Sequence, residues 1–456
     1  MIELYIVRLN SMKHKFLSRM EALLGKEYED YLATLEKPMY RGLRVNTLKV
    51  SVEDFQSLAV FPLEHTPFCK EAFYIPSHLS SIGNHPYHIA GLFYVQEPSA
   101  TSAVEVLDVK EGEWVLDLCA APGGKSSQIG AKLNHTGFLV SNEIDSGRAN
   151  VLLSNMERMG ISENMITNAY PDKLCEAFKG HFHKVLVDAP CSGEGMFKKH
   201  SKAMEEWSQE HVLACRNRQL HILDSAYKAL RKDGILVYST CTYAQEENEE
   251  VVDTFLQSYP DMELVDCGVS FGREGIAYKD LDVTKVRRIF PMDKGEGHFI
   301  AKFRRKSENT QAKLKTIASK NMDRCVNDFL QQHATSFDFH LMTHQDKIYA
   351  CKQPFFDLKK IKVLRQGILC GEVRKQRFEP HQHFYMAAII KNYHKQVVSL
   401  DEQQCVSFMQ GNMLSIPGYK GFVAIAYHSH IIGFGKGDGN VIKNKFPKGL
   451  RCTISL

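Results

Sequence analysis

Apolar residues recur along this chain in two registers, and the switch between them divides it. Over residues 12–36, Phe16, Leu17, Met20, Leu23, Leu24, Tyr28, Tyr31 and Leu32 fall three and four apart. That spacing predicts an amphipathic helix, which Pro38 ends. Residues 41–48 predict a strand entering the body. From Gly91 onward, short apolar runs alternate with helical stretches. Strands are predicted over 114–119, 137–142, 165–168, 184–188 and 234–242, and helices over 102–107, after the 120–126 turn, 147–159 and 205–232. Val185–Val187 is too short for a helix and does not alternate with polar residues, the signature of a strand buried on both faces. Strand–helix alternation of this kind predicts an α/β fold with a parallel sheet covered on both sides.

After Pro260 the pattern changes. Residues 285–291 and 298–305 predict two strands around a glycine-rich turn at an antiparallel edge, and the polar stretch 306–320 predicts a linker or exposed helix. Runs at 422–427 and 430–434 are β-like, and the glycine-dense Gly433–Gly439 is read as a hairpin turn. No internal repeat is found.

With 456 residues, 44% of them apolar, the chain has room for about three domains with ordinary cores. Twelve cysteines carry no C-x-x-C spacing, so neither a zinc site nor a disulfide framework is expected. His78, His85 and His88 have no compact ligand spacing either. The longest early apolar run, Leu4–Val7, is too short for a signal peptide or a membrane span. A reducing cytoplasm and no membrane partner are the expectation. The net charge of +4 is uneven: residues 307–456 carry 21 Lys+Arg against 11 Asp+Glu, and the rest 36 against 42. A basic tail region of this kind meets a polyanion or is a solvated surface.

Candidate chemistry gathers at the ends of the predicted strands, where open α/β sheets place their ligands. Asp188 and Cys191 follow one strand, with Pro190, Gly193 and Gly195 breaking the chain after it. Cys241 ends another. A lone strand-end cysteine is ordinarily packing. Two of them beside a carboxylate tip the balance toward chemistry. The turn Cys119-Ala120-Ala121-Pro122-Gly123-Gly124-Lys125 links a strand to a helix, bringing backbone N–H groups to a ligand. Glu143 follows the next strand, 19 residues after Gly124, where an acid can bind the two hydroxyls of a ribose. Gly124-Lys125-Ser126 imitates a P-loop, but Cys119 stands where its first glycine belongs and Pro122 removes an N–H. A ligand with ribose and no phosphate, such as S-adenosyl-L-methionine, fits better.

The stretches Leu116–Lys125, Asp188–Gly195 and Ser239–Tyr243 followed by Glu246, Glu247 and Asn248 resemble the Sun/Nop family of RNA cytosine-5 methyltransferases, most of all its bacterial RsmF-like branch. The resemblance spans about residues 35–305, and Pro447–Arg451 adds a weaker likeness beyond it. It implies a Rossmann-like class I methyltransferase sheet over 91–305, an N-terminal RNA-binding extension over 1–90, a linker and small α+β domain over 306–380, and a PUA-like β domain over 381–456. It further implies methyl transfer from S-adenosyl-L-methionine to cytosine C5 by a monomer acting on small-subunit ribosomal RNA or the small subunit. Cys241 would attack C6, Cys191 would help release, and Asp188, protonated or hydrogen-bonded, would stabilise charge near N3 and N4. The cofactor would lie on residues 119–125, Glu143 and Asp188. The family's adenine-side acid is replaced here by Tyr170, with Asp172 two residues on. Arg41, Arg44, Lys443, Lys445, Lys448 and Arg451 are the candidate RNA contacts. A DNA cytosine methyltransferase using Cys191, and a non-catalytic RNA-binding factor, are the competing readings.

Overall fold

The computed structural model describes residues 14–79, 82–198, 204, 207–318, 322–334, 337–390 and 394–452. Its centre is a nine-stranded sheet. The parallel part runs Leu230–Thr240, Phe182–Asp188, Trp114–Asp117, Phe138–Asn142, Asn164–Asn168. The chain order reverses between Trp114–Asp117 and Phe182–Asp188, so the crevice that such sheets use for ligands opens there. Val185, Leu186 and Val187 are fully buried, because helices pack on both faces. Leu174, Leu223 and Val251, from the helices Pro171–Ala177, Gln209–Ala229 and Glu249–Ser258, fill one core. Val104, Ile129 and Leu152, from Ser102–Leu107, Gly124–Leu133 and Ser146–Met159, fill the other.

Several expectations need correction. His298–Arg305 is no edge strand: it pairs antiparallel with Leu230–Thr240 on one side and with Met262–Val265 on the other, while Arg287–Ile289 pairs with it as a spur. The far edge is Lys362–Gln366, which returns from the C-terminal half to pair antiparallel with Asn164–Asn168. Over 306–318 there is no helix, only the two-residue strand Thr316–Ile317. Residues 12–13 of the expected first helix and 205–206 of the expected long helix lie outside the described residues; helical turns occupy 14–35, and the long helix is Gln209–Ala229.

A four-stranded antiparallel sheet, Gly42–Val45, Glu64–His65, Ala72–Tyr74 and Phe93–Gln96, precedes the central one. Two small sheets follow, His340–His344 with Lys347–Cys351, Ile368–Arg374 and Arg377–Pro380, and then Val397–Leu400 with Lys420–Tyr427, His430–Asp438 and Ile442–Asn444. Gly433–Gly437 lies inside the His430–Asp438 strand rather than in a hairpin turn. Its glycines serve close packing: a Cβ on Gly435 would sit 2.4 Å from Ile442, and one on Gly437 2.3 Å from the Tyr419 carbonyl oxygen. The hairpin turn lies earlier, at His428 and Ser429, both at positive φ. Among the described residues no helix is long and apolar enough to cross a membrane.

Candidate active site

A cavity of about 940 Å³ opens at the carboxyl ends of the parallel strands. Asp188, Cys191 and Cys241 line one side of it; Glu143, Ile144 and Asp172 line another. The two thiols face each other, Sγ to Sγ 3.4 Å. The Cys191 pKa is raised by its hydrogen bond to Cys241 and by burial. Either sulfur can be the donor in this contact.

Asp188 Oδ2 accepts from Lys125 Nζ at 2.8 Å, and Oδ1 accepts from Ser239 Oγ at 2.8 Å. Burial acts to raise the Asp188 pKa, but the Lys125 charge and these hydrogen bonds outweigh it and leave it lowered. The lowered pKa and the Lys125 partner favour the carboxylate form of Asp188, which accepts hydrogen bonds and donates none.

The turn is braced from beneath. Gly123 sits at φ 111 and starts the helix Gly124–Leu133. A Cβ on Gly124 would lie 2.8 Å from Gln96 Oε1 and 3.3 Å from the Tyr94 ring, so the helix start packs closely on the neighbouring sheet. Arg44 Nη2 donates to the Gly124 carbonyl at 3.2 Å and to Ser127 Oγ at 2.8 Å. Arg44 is 1% exposed, which removes it from the candidate RNA contacts. Arg41 is half-buried, with Nη1 donating to the Ser77 carbonyl. Lys443, Lys445, Lys448 and Arg451 are exposed on the last sheet and the turn after it.

The cavity suits S-adenosylmethionine on its own chemistry. Glu143 is buried, with Oε1 accepting from the Asp145 N–H at 2.9 Å and Oε2 3.4 Å from Arg148, which also donates to the Ala121 carbonyl. A fixed carboxylate beside the apolar Ile144 and Pro171 matches a ribose next to an adenine. Asp172 lines the cavity, whereas Tyr170 is 66% exposed and outside the lining. Asp172 and Asp145, and not Tyr170, line the cavity there.

Residues 104–304 match the family described as 16S rRNA methyltransferase RsmB/F. Residues 12–98 match the N-terminal domain of 16S rRNA methyltransferase RsmF, 328–387 the RsmF rRNA methyltransferase first C-terminal domain, and 395–452 the methyltransferase RsmF PUA domain. A protein of Psychromonas ingrahamii named ribosomal RNA small subunit methyltransferase F is 32% identical, over 95% of this chain and 96% of its own length. One of Vibrio cholerae with the same name is 31% identical, over 96% and 98%. The chain belongs to the RsmF family of methyltransferases. The expected Sun/Nop, RsmF-like assignment and the α/β methyltransferase sheet with a PUA-like end therefore hold. A solved methyltransferase homologue from Pyrococcus horikoshii is 30% identical, with a TM-score of 0.58, over 66% of this chain and 98% of that one.

Several residues at the site of this RsmF-family chain had no role assigned from the sequence, Ser239 among them although it lies in a matching stretch. Ser239 holds Asp188. Arg218, His221, Ile222 and Ser225 of Gln209–Ala229 form a wall of the cavity. Their i, i+3, i+4, i+7 spacing was the available signal, but a helix offers several such faces and nothing local says which one meets the site.

Proposed function

We propose that this chain transfers a methyl group from S-adenosylmethionine to C5 of a cytosine in small-subunit ribosomal RNA, through a covalent bond between Cys241 Sγ and C6. The observation that carries the reading is the pair of thiols 3.4 Å apart beside the Lys125–Asp188 pair. The names of the relatives support the substrate class.

Cytosine C5 is a poor nucleophile. Addition of the Cys241 sulfur to C6 makes C5 enamine-like. In this reading the positive charge of Lys125, bonded to Asp188, offsets the electron density pushed toward N3 and O2, and Asp188 accepts from the N4 amino group. Bound cofactor supplies an electrophilic methyl on sulfonium sulfur, held by Glu143, Asp172 and the 119–125 turn. Loss of the C5 proton to a base then expels Cys241 and restores the 5,6 double bond. Cys191, 3.4 Å from Cys241, assists that release. The cytosine leaves its stack to enter the cavity, while Lys443, Lys445, Lys448 and Arg451 hold RNA phosphates. A DNA-type scheme with Cys191 as nucleophile gives the second thiol no role, and a non-catalytic RNA binder has no use for either.

The test is transfer of labelled methyl from S-adenosylmethionine to 16S RNA, small subunits and duplex DNA, with the modified atom identified by nucleoside mass spectrometry. 5-Methylcytosine in RNA is expected. Label on DNA, on N4 or on a ribose overturns the reading.

A further inference from the structure

The two thiol-bearing loops hold each other through two buried carboxylates, and the hold is crossed. Glu194 belongs to the Cys191 loop, yet its Oε2 accepts from Thr242 Oγ1 at 2.9 Å and from the Tyr243 N–H at 3.0 Å, directly after Cys241. Its Oε1 accepts from Trp207 Nε1 at 2.9 Å. Glu247 follows Cys241 and does the reverse. Its Oε2 accepts from the Ser192 N–H at 3.0 Å and from Gln219 Nε2 at 2.7 Å, and Gln219 also donates to the Pro190 carbonyl at 3.1 Å. Of the two neighbours of Cys191, Ser192 is therefore held directly from the Cys241 loop, and Pro190 through Gln219 of the helix Gln209–Ala229, itself bonded to Glu247. A hydroxyl pair, Ser192 Oγ to Thr242 Oγ1 at 2.8 Å, and the Gly195 N–H on the Cys241 carbonyl at 3.0 Å close the lattice.

Glu194 is 4% exposed and Glu247 fully buried, and neither makes an ion pair among the described residues. Arg19, the cation nearby, is bonded to Glu246 instead. Burial raises both pKa values, that of Glu247 to about 7. Two buried carboxylates without a cation are costly for any fold. Joining two loops requires neither of them. What the crossed pair adds is a fixed separation between two sulfurs.

We infer that Glu194 is a positioning residue for Cys241 and Glu247 a positioning residue for Cys191, each acting on the thiol of the other loop. The inference rests on the reading above, in which Cys241 attacks and Cys191 assists release. Glu194→Gln then fails like Cys241→Ala: methyl transfer falls about 100-fold, the cost of a misplaced reacting atom, and no covalent RNA species forms. Glu247→Gln fails like Cys191→Ala: attack and methylation proceed, and protein accumulates joined to RNA. Proximity in sequence predicts the opposite pairing. A merely structural role predicts equal losses, with no adduct in either variant.

The experiment uses the full chain, 16S RNA and labelled S-adenosylmethionine, resolved on denaturing gels for the four variants. Trp207→Phe and Gln219→Leu are milder cuts of the same two holds and carry the test if a carboxylate variant does not fold. A second readout needs no activity: diamide joins Cys191 to Cys241, the two thiols giving up two protons and two electrons to the azo group, which becomes a hydrazine. Both glutamate variants should slow this about tenfold, through lost effective concentration. The crossed adduct pattern with slowed oxidation bears the inference out. An uncrossed pattern, equal losses or unchanged oxidation overturns it. If instead Cys191→Ala and Cys241→Ala do not differ from each other, the reading of the reaction fails, and the oxidation rates still judge the positioning.

Discussion

The thiol site and the basic end of the chain handle charge in opposite ways. Beside the thiols, Lys125 is tied to Asp188, Asp188 to Ser239, and Glu194 and Glu247 to the facing loops. Near the end of the chain, Lys443, Lys445, Lys448 and Arg451 stand exposed, and Lys445 lies 3.8 Å from Glu379. The difference follows from the two tasks. In the proposed reaction, bond formation at C6 needs atoms held to a fraction of an ångström. Gripping a phosphate backbone needs countable, loosely held charges.

The comparison breaks most sharply at Cys241. If Cys241 is the nucleophile as proposed, Cys241→Ala should lower methyl transfer by about 10⁴-fold or more, since that role has no substitute. Cys191→Ala should instead trap an RNA-linked protein, visible as a shifted band. A trapped band only when Cys241 is missing would exchange the two roles.

Next comes the cofactor wall. Glu143→Ala should weaken S-adenosylmethionine binding by about 1–3 kcal/mol, a charge-assisted pair of hydrogen bonds, read by calorimetry. Unchanged affinity removes Glu143 from the ribose role.

At the basic end, losses should add rather than multiply through one step. Replacing Lys443, Lys445 and Lys448 with Gln should lower the slope of log affinity against log salt by about 2, near 0.7 per phosphate contact on single-stranded RNA. Turnover at saturating RNA should stay as it was. Arg44→Met, by contrast, should leave that slope alone and lower the melting temperature, because Arg44 is a brace under the turn. A drop in slope for Arg44→Met would refute its burial.

The smallest effect concerns the docking of the first helix. Burial acts to raise the Glu246 pKa, but hydrogen bonds from Arg19 and Gln209 bring it from the ordinary 4.5 to about 2. A lowered carboxylate adds stability that is complete above 4.5 and fades as pH falls toward 2. Arg19 also lies 5.9 Å from the Trp207 ring. Trp207 fluorescence should therefore change over that window in the wild type and not in Arg19→Met.

Much of the catalytic half was legible because its signals are local. Strand ends at Asp117, Asn142 and Asp188 follow from short apolar runs stopped by polar or glycine-rich turns. The glycine run 433–437 misled, since glycine marks both a turn and a close approach, and only the neighbours Tyr419 and Ile442 separate the two. Arg44 misled for a related reason. An arginine near a strand looks like a phosphate contact until a carbonyl and a hydroxyl are found waiting for it.

By itself the sequence determined the α/β alternation, the glycine turn and the residue types at the strand ends, because each depends on a few neighbours along the chain. Only the tertiary structure decided that Lys362–Gln366 closes the far edge of the catalytic sheet, that the Lys125 partner favours the carboxylate form of Asp188, and that Glu194 and Glu247 cross to the opposite loops. Those outcomes depend on groups tens to hundreds of residues apart being buried together. Burial is what makes each of them matter, since a polar group cut off from water must find its partner in whatever part of the chain the fold brings to it.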